Sequence, residues 1–318
     1  MADGAAPRLR RIEDYPALLN EAWAQAHAPR EANAPTVIST FAGCGGSSLG
    51  YHMAGFRELL AVEWEQNAAD TFRLNFPHVP LYHGDIAKLS VDECLRLAGV
   101  KPGELTVFDG SPPCQGFSTA GKREIGDARN QLFREYCRLL EGLRPRAFVM
   151  ENVSGMVKGD FKIVFAEILR TLKRCGYRVK ARLLNAQFFG VPQERERMVF
   201  VGTREDIGID PSHPSAWSEP TPLRAVAPDV IASRSQRINP WVDSSRASVT
   251  ICKTMFSGMF RTREGIRCPT VRETARIGSF PDQFKFVGVQ RHAWARIGNS
   301  VPPLMMRSIA AHVRTLVS

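Results

Sequence analysis

Two segments of this sequence carry side chains suited to covalent and acid–base chemistry. Cys114 stands in the segment Gly110-Ser-Pro-Pro-Cys-Gln-Gly-Phe-Ser118, where two prolines stiffen the turn and backbone N–H donors can favour a nucleophilic thiolate. Glu151 opens a Glu-Asn-Val segment at the end of an apolar run, where a partly buried carboxyl can hold a proton at neutral pH and donate it. Together they predict a nucleophile and an acid that share one pocket.

A glycine-rich segment predicts a nucleotide-cofactor site. Phe41-Ala-Gly-Cys-Gly-Gly-Ser-Ser-Leu-Gly50 lets backbone approach a ligand closely. Ser48 stands where the dinucleotide fingerprint needs its third glycine, which weakens an oxidoreductase interpretation. Glu63-Trp64 suits ribose hydroxyls and an adenine ring, and Asp85, in Gly84-Asp85-Ile86, suits an adenine amino group. Each residue alone is uninformative, but each follows a successive apolar run.

The apolar runs must position these side chains. They span residues 36–41, 58–63, 105–110, 147–152, 177–184 and 197–202, and helical stretches separate them. This alternation predicts an α/β fold with a doubly wound, mostly parallel, Rossmann-like sheet. Ligands bind such sheets at the carboxyl ends of the strands, so we expect the active groups to meet at that edge.

The chain length and texture predict a large domain with a smaller one. The chain has 318 residues, which allows this division. Residues 1–34 hold one possible short helix over 15–27, and we expect a mobile or loosely docked tail there. The alternation stops after Gly202, and the stretch from residue 203 to about 271 is rich in Pro, Ser and Arg. This change predicts a small domain, which we place at residues 204–291.

Charge and composition narrow the function classes. The composition is 44% hydrophobic and 23% charged, which excludes disordered and fibrous proteins. No membrane-length apolar stretch or signal-peptide core is present, so we expect a cytoplasmic protein. Seven cysteines without a CxxC pair indicate reduced thiols and no metal site. The net charge of +10 favours a polyanionic partner.

Most of the basic excess lies in the small domain. Residues 231–272 hold eight Lys and Arg against two acids. A solvated basic face is one interpretation of this segment. A surface that contacts the phosphate backbone of a nucleic acid is the other, and we favour it because few acids interleave.

Several separated blocks, in order, resemble the cytosine-C5 DNA methyltransferase family of prokaryotic type. Besides the glycine loop, the Pro-Pro-Cys turn and Glu-Asn-Val, the chain contains Gln193-Glu-Arg195-Glu-Arg197, Thr270-Val-Arg-Glu and Ile297-Gly-Asn-Ser-Val-Pro-Pro303. The resemblance implies a methyltransferase that depends on S-adenosyl-L-methionine, with residues 35–203 and 292–318 in the catalytic domain and 204–291 as an inserted target-recognition domain. It implies methyl transfer to C5 of a flipped cytosine in double-stranded DNA.

The resemblance also assigns roles residue by residue. Cys114 would add to C6 of cytosine, Glu151 would meet N3, and Arg197 would contact O2 while Arg195 braces the pocket. The positions assigned to the methyl donor's pocket are Phe41, Gly43, Cys44, Gly45, Gly46, Glu63, Trp64, Asp85, Ile86, Pro113, Leu132, Asn299 and Val301. The positions predicted to contact DNA are Gln115, Lys122, Arg123, Arg234, Arg237, Arg261 and Arg263.

Two alternatives remain open at this point. One is a tRNA cytosine-C5 methyltransferase of the same fold, although its Cys-Phe-Thr tripeptide is absent from this chain. The other is a non-catalytic base-flipping DNA-binding protein, which is expected to lose the reactive residues. We also expect a monomer, a short recognition site that contains guanine, and a cognate restriction endonuclease as a possible partner.

Overall fold

A seven-stranded sheet forms the centre of the molecule. The computed structural model describes residues 9–113, 128–157, 161–235, 238–254 and 258–317. The strands are β1 (Thr36–Thr40), β2 (Arg57–Glu63), β3 (Leu81–His83), β4 (Val107–Gly110), β5 (Ala147–Val153), β6 (Tyr177–Asn185) and β7 (Glu196–Arg204). Their order is β3-β2-β1-β4-β5-β7-β6. The predicted α/β fold with a mostly parallel sheet is confirmed.

The strand β7 departs from the parallel pattern. It runs antiparallel to both β5 and β6, whereas β1 pairs in parallel with β2 and β4. The reason is the short connection after β6, residues 186–195, which contains a 3-10 turn but no crossover helix. A parallel neighbour needs a crossover of a dozen or more residues.

Helices cover both faces of the sheet and complete two hydrophobic cores. The helices are α1 (Tyr15–His27), α2 (Gly46–Met53), α3 (Gln66–Asn75), α4 (Val91–Ala98), α5 (Ala128–Leu143), α6 (Phe161–Arg174), α7 (Val271–Ile277), α8 (Gln290–Asn299) and α9 (Pro303–Val317). Alternate residues of one strand enter different cores: Val37 packs in one and Ile38 in the other. Within the described ranges, no helix has the length and apolar character needed to cross a membrane.

The C-terminal helix packs against the first helix after the glycine loop. A Cβ on Gly50 would lie 2.6 Å from the Met306 Cβ, and one on Gly46 would lie 2.6 Å from the Val301 carbonyl oxygen. Such distances leave no room for a side chain, so the two glycines allow α2 to approach α9 and the segment before it. The C-terminal segment therefore packs against the helix that contains the last glycines of the glycine-rich loop.

The sequence predicts a mobile or loosely docked tail over residues 1–34, and the described part of this segment contains a helix that packs on the large core. Helix α1 has the predicted bounds, and its Tyr15, Leu19, Ala22 and Ala26 are at most 5% exposed. The Tyr15 hydroxyl donates to the Arg276 carbonyl at 3.2 Å. The apolar face of α1 is buried in the core that includes α2 and α9.

A second sheet of four antiparallel strands follows the large one. It contains β8 (Val230–Ser235), β9 (Ile238–Asp243), β10 (Gly258–Thr262) and β11 (Gly265–Arg267) in the order β11-β10-β8-β9. The predicted small domain ran to residue 291, but Ile277, Phe280 and Phe284 are buried in the large core. Asn75 of α3 also donates to the Lys285 carbonyl at 2.7 Å. The segment after residue 270 therefore packs with the large core.

Candidate active site

A cleft of about 350 Å³ opens at the carboxyl ends of β1, β2 and β3. Among the predicted cofactor residues, seven line it: Phe41, Glu63, Trp64, Asp85, Ile86, Pro113 and Leu132. Sequence reasoning missed Val62, Gly84, Ala87 and Gln131, which line it as well. Trp64 is 74% exposed, so its indole offers a large apolar surface at the cleft.

Glu63 fixes the shape of the glycine loop. Its Oε2 accepts from the Gly43 amide at 2.7 Å, and its Oε1 accepts from the Trp64 and Glu65 amides at 2.9 and 2.8 Å. Gly43 and Gly45 have φ of +59° and +97°, which glycine adopts without steric cost. Phe41 also has a positive φ of 55°, so a bulky residue holds an uncommon conformation at the cleft.

The other predicted pocket residues belong to the glycine loop itself and to the segment 299–301. Among the described residues, the cleft lining does not include Gly43, Cys44, Gly45, Gly46, Asn299 or Val301. Cys44 is 1% exposed, and its Sγ lies 3.3 Å from the Ser300 Oγ. Burial raises the pKa of the Cys44 thiol to about 11, which favours the protonated thiol at neutral pH. Asn299 is exposed at the end of α8, and Val301 is buried.

Glu151 and Arg197 form an ion pair at the end of β5. The Arg197 Nε lies 2.7 Å from the Glu151 Oε1, and both side chains are largely buried. The antiparallel register pairs Arg197 with Val153, which places Arg197 and Glu151 on the same face of the sheet. Glu151 is therefore largely buried against Arg197, a pairing that the sequence analysis did not predict.

Asn152, which follows Glu151, connects this ion pair to the Pro-Pro-Cys turn. Its Nδ2 donates to the Pro112 carbonyl at 2.9 Å, and the following Pro113 lines the cofactor cleft. Cys114, the predicted nucleophile, lies just outside the described residues, directly after Pro113. The sequence reasoning gave Asn152 no role, although its place beside Glu151 was the available signal.

Arg195 is a buried arginine near this ion pair, and it stabilises the surrounding backbone. It is 2% exposed, and its guanidinium donates to the carbonyls of Ile251, Gly298 and Ser300 at 2.9, 2.8 and 3.0 Å. Burial, and then the nearby Arg197, lower its pKa to about 9. Two distant segments, one at Ile251 and one at Gly298–Ser300, thus meet on one side chain. We call Pro112, Glu151, Asn152, Arg195 and Arg197 the catalytic corner.

A buried carboxyl lies behind this edge, on β4. Asp109 is 2% exposed and accepts from the Tyr51 hydroxyl at 3.2 Å. Burial raises the pKa of Asp109 well above its ordinary value. Tyr51 belongs to α2, which follows the glycine loop, and Asp109 precedes the Pro-Pro-Cys turn by a few residues. The two loops therefore share a buried contact.

The predicted DNA-contacting residues divide into two groups. Gln115, Lys122, Arg123 and Arg237 lie outside the described residues. Arg234, Arg261 and Arg263 belong to the second sheet or its turn, and both Arg234 and Arg261 lie over the Trp241 ring. Trp241 was missed by the sequence reasoning. Arg267, one of the eight basic residues, is neutralised by Asp229 and Glu273, each at 2.7 Å.

The Pro112–Pro113 turn lies between the cleft and the group formed by Glu151, Arg195 and Arg197. A carboxyl beside guanidinium groups can exchange a proton with a heterocycle and orient its polar edge. Nowhere in the described part of the chain do three or more metal-binding side chains cluster.

Comparison with known sequences gives a consistent result. A profile of the family described as C-5 cytosine-specific DNA methylase matches residues 35–239 and 232–315. The Type II methyltransferase M1.HphI of Haemophilus parahaemolyticus is 35% identical, over 87% of this chain and 86% of that protein. The Type II methyltransferase M.NgoPII of Neisseria gonorrhoeae is 31% identical, over 91% of this chain and 98% of that protein.

Solved structures show a similar fold at low sequence identity. A prophage-encoded E. coli protein assigned as a DNA modification methyltransferase superposes with a TM-score of 0.73 at 23% identity, covering 89% of this chain and 99% of that one. The S. pombe Dnmt2 methyltransferase superposes with a TM-score of 0.66 at 18% identity, covering 89% and 99%. These likenesses concern the fold.

Proposed function

This chain belongs to the C-5 cytosine-specific DNA methylase family and is a DNA cytosine methyltransferase, and we propose that it works through a covalent adduct of Cys114 with a flipped cytosine. One observation carries the proposal: Pro113 lines the cofactor cleft while Asn152 holds the preceding Pro112 carbonyl next to Glu151. The turn that ends in Cys114 thereby connects the cleft to the acid. The reacting groups and the methyl donor would meet there.

The cleft residues fit S-adenosyl-L-methionine. The exposed Trp64 indole offers a stacking surface for adenine, and the Glu63 carboxylate, already held by three backbone amides, retains lone pairs for ribose hydroxyls. Asp85 lies on the same lining and suits the adenine amino group. When bound, the cofactor supplies an electrophilic methyl group. The apolar part of the lining would exclude water from its sulfonium centre.

The protein must first make cytosine C5 nucleophilic. Addition of the Cys114 thiolate to C6 forms a C–S bond and moves electrons toward N3, so a proton must reach N3. Glu151 supplies that proton in our proposal, and it then accepts from the exocyclic amine, which uracil and thymine lack. Loss of the C5 proton to a base and release of the thiol complete the reaction. A water is a plausible base.

The two arginines have different roles in this proposal. Arg197 sits beside Glu151 at 2.7 Å and is partly accessible, so it can turn a donor toward the cytosine O2 as the base enters. Arg195 donates to three backbone carbonyls and braces the corner instead.

DNA recognition falls to the second sheet. A base inside a duplex must be flipped out before Cys114 can reach it, at a cost of a few kcal/mol. Arg234, Arg261 and Arg263 supply positive charge there, and we propose a short site of roughly four to five base pairs that contains guanine. Gln115, Lys122 and Arg123 lie outside the described residues and stay predicted DNA contacts.

The cellular setting follows from the relatives by analogy. Because they are named Type II methyltransferases, we propose that this enzyme protects DNA from a cognate restriction endonuclease encoded alongside it. We further propose that it acts as a monomer in the cytoplasm. Deletion of the neighbouring genes, followed by assay of extracts for cleavage of unmethylated plasmid, tests the first point.

Covalent trapping tests the mechanism. The enzyme is incubated with S-adenosyl-L-methionine and duplexes of its site in which 5-fluorocytosine replaces the target cytosine. We expect a denaturation-resistant adduct, since fluorine cannot leave as the C5 proton does. Cys114→Ala should form none and methylate nothing, yet bind DNA normally because phosphate contacts lie elsewhere. An active wild type without adduct, or turnover by Cys114→Ala, contradicts the mechanism.

The same assay separates the remaining alternative. Labelled methyl groups should enter unmethylated plasmid and not tRNA, and methylome sequencing of an expressing host should give the recognition site. Methylation of tRNA with unmodified DNA would contradict the proposed substrate.

A further inference from the structure

The outer face of the second sheet gathers positive charge around one indole. The guanidinium carbons of Arg234 and Arg261 lie over the Trp241 ring, 4.9 and 4.3 Å from its centroid. The two charges are therefore closer together than a Debye length of ~10 Å at 0.1 M salt. Neither arginine forms an ion pair with another described residue. The Trp241 ring offsets part of the repulsion between the two guanidinium groups, and a bound ligand would offset more of it.

The strand register explains how the three side chains meet. Arg234 pairs with Met259, and Arg261 pairs with Ala232, which places all four residues on one face. Ala232 also pairs with Asp243, and Trp241 shares the face of Asp243 because it is two residues away. Arg261 on β10 reaches across β8 to Trp241 on β9, over the small Ala232. We call Arg234, Trp241, Met259 and Arg261 the reading face.

The opposite face of the sheet is used for packing. Phe260 and Ser233 pair with each other there and are 2% and 1% exposed. Arg267 lies on that side, over the Phe260 ring, and is held by Asp229 and Glu273. The second sheet therefore divides its arginines: Arg267 stabilises the fold, whereas Arg234 and Arg261 remain available on the reading face.

We propose that Trp241 is a specificity-determining positioning residue that holds Arg234 and Arg261 for reading guanines. Stacking on an indole uses the flat face of a guanidinium and leaves its N–H donors free at the edge. Guanine presents O6 and N7 in the major groove, and a guanidinium edge matches them with two hydrogen bonds. A phosphate contact does not need this planar restraint, because a flexible point charge suffices. The inference rests on the proposed DNA recognition by the second sheet.

The test compares discrimination and not activity alone. The recognition site of the wild type is first determined by methylome sequencing, and kcat/KM is then measured on the cognate duplex and on duplexes with one base pair replaced. Trp241→Ala should lower the ratio of cognate to substituted kcat/KM about tenfold at one or two guanine positions. Trp241→Phe, which retains a ring, should keep most of the ratio.

Two further variants separate stacking from charge and from folding. Arg261→Lys keeps the charge of an exposed residue but loses the planar fork, so it should lose the same discrimination with an unchanged melting temperature. Arg246→Ala removes an exposed charge of the same domain outside the stack, and its ratio should equal that of the wild type. Uniform weakening of all duplexes by Trp241→Ala or by Arg261→Lys overturns the inference. A wild type without any defined site contradicts the proposed function instead.

Discussion

The catalytic corner and the reading face both use arginine, but they treat its charge in opposite ways. In the corner, Arg197 pairs with Glu151 at 2.7 Å, and Arg195 is buried against backbone carbonyls. On the reading face, Arg234 and Arg261 share only the Trp241 ring. Both arginines of the corner thus have protein partners before substrate arrives, whereas those of the reading face remain available to a ligand.

This difference matches what each region must do. Transition-state stabilisation works best when charges are already fixed and need no reorganisation during the reaction. Recognition of a polyanion gains from unpaired charge, because phosphates and base edges then take the place of water and counterions. Substitutions in the two regions should therefore differ in kind: those in the corner change rates and stability, and those on the face change DNA selection.

The largest effect should come from the acid. Glu151→Gln keeps the shape of the side chain but cannot donate a proton, so kcat should fall about 10²- to 10⁴-fold. The apparent KM for S-adenosyl-L-methionine should change little, because Glu151 does not line the described part of the cleft. Steady-state kinetics with labelled cofactor measure both. A wild-type kcat would exclude Glu151 as the acid.

The next effect separates the two arginines of the corner. Arg195→Met leaves three carbonyls without their donor, which should cost about 3 kcal/mol and lower Tm by roughly 6 °C or more. Arg197→Met should lower kcat/KM and change Tm less, because Arg197 forms an ion pair with Glu151, whereas Arg195 donates to three backbone carbonyls. Calorimetry and kinetics on both variants check this. Equal losses of Tm would remove the distinction between bracing and reacting arginines.

A smaller effect should appear at the edge of the second sheet. Arg263 is exposed in the turn between β10 and β11, so Arg263→Ala should lower the salt slope of DNA binding by about one without changing the recognised site. Arg267→Gln is the matched control, because Arg267 is already paired with Asp229 and Glu273. Titrations between 50 and 200 mM salt give the slopes. An equal decrease in both variants would mean that pairing does not decide which arginines contact DNA.

The smallest effect concerns Asp109, a buried carboxyl that accepts a hydrogen bond from the Tyr51 hydroxyl. Burial raises the pKa of Asp109, so above the ordinary aspartate pKa of about 3.9 the unfolded chain releases a proton that the folded chain keeps. Wild-type stability should thus fall as pH rises from about 4 toward the folded-state pKa. Asp109→Asn lacks this dependence and should gain about 1 kcal/mol at pH 8 relative to pH 4. Melting curves at both pH values test it, and a constant difference would show that Asp109 titrates normally.

Much of the molecule could be predicted because the sequence itself determines it. Short apolar runs that alternate with helical stretches gave six of the seven strands within about two residues at each end, since both faces of the inner strands are buried, but the short β3 was not among these runs. Glu63 and Glu151 stand at the ends of two runs, so knowledge of the strand ends was enough to place them at one edge of the sheet. The Gly, Pro and Cys positions restrict the backbone locally and could be interpreted without tertiary contacts.

Only the tertiary structure decided which partner each charged or apolar group takes. The Glu151–Arg197 pair, the Asn152 contact with Pro112 and the three carbonyls on Arg195 join residues far apart in the chain. The docking of α1, the antiparallel direction of β7 and the choice of Arg234 and Arg261 for the Trp241 ring depend on packing and strand register in the same way. Composition counts charges, but pairing depends on distances of a few ångströms, and these exist only once the chain has folded.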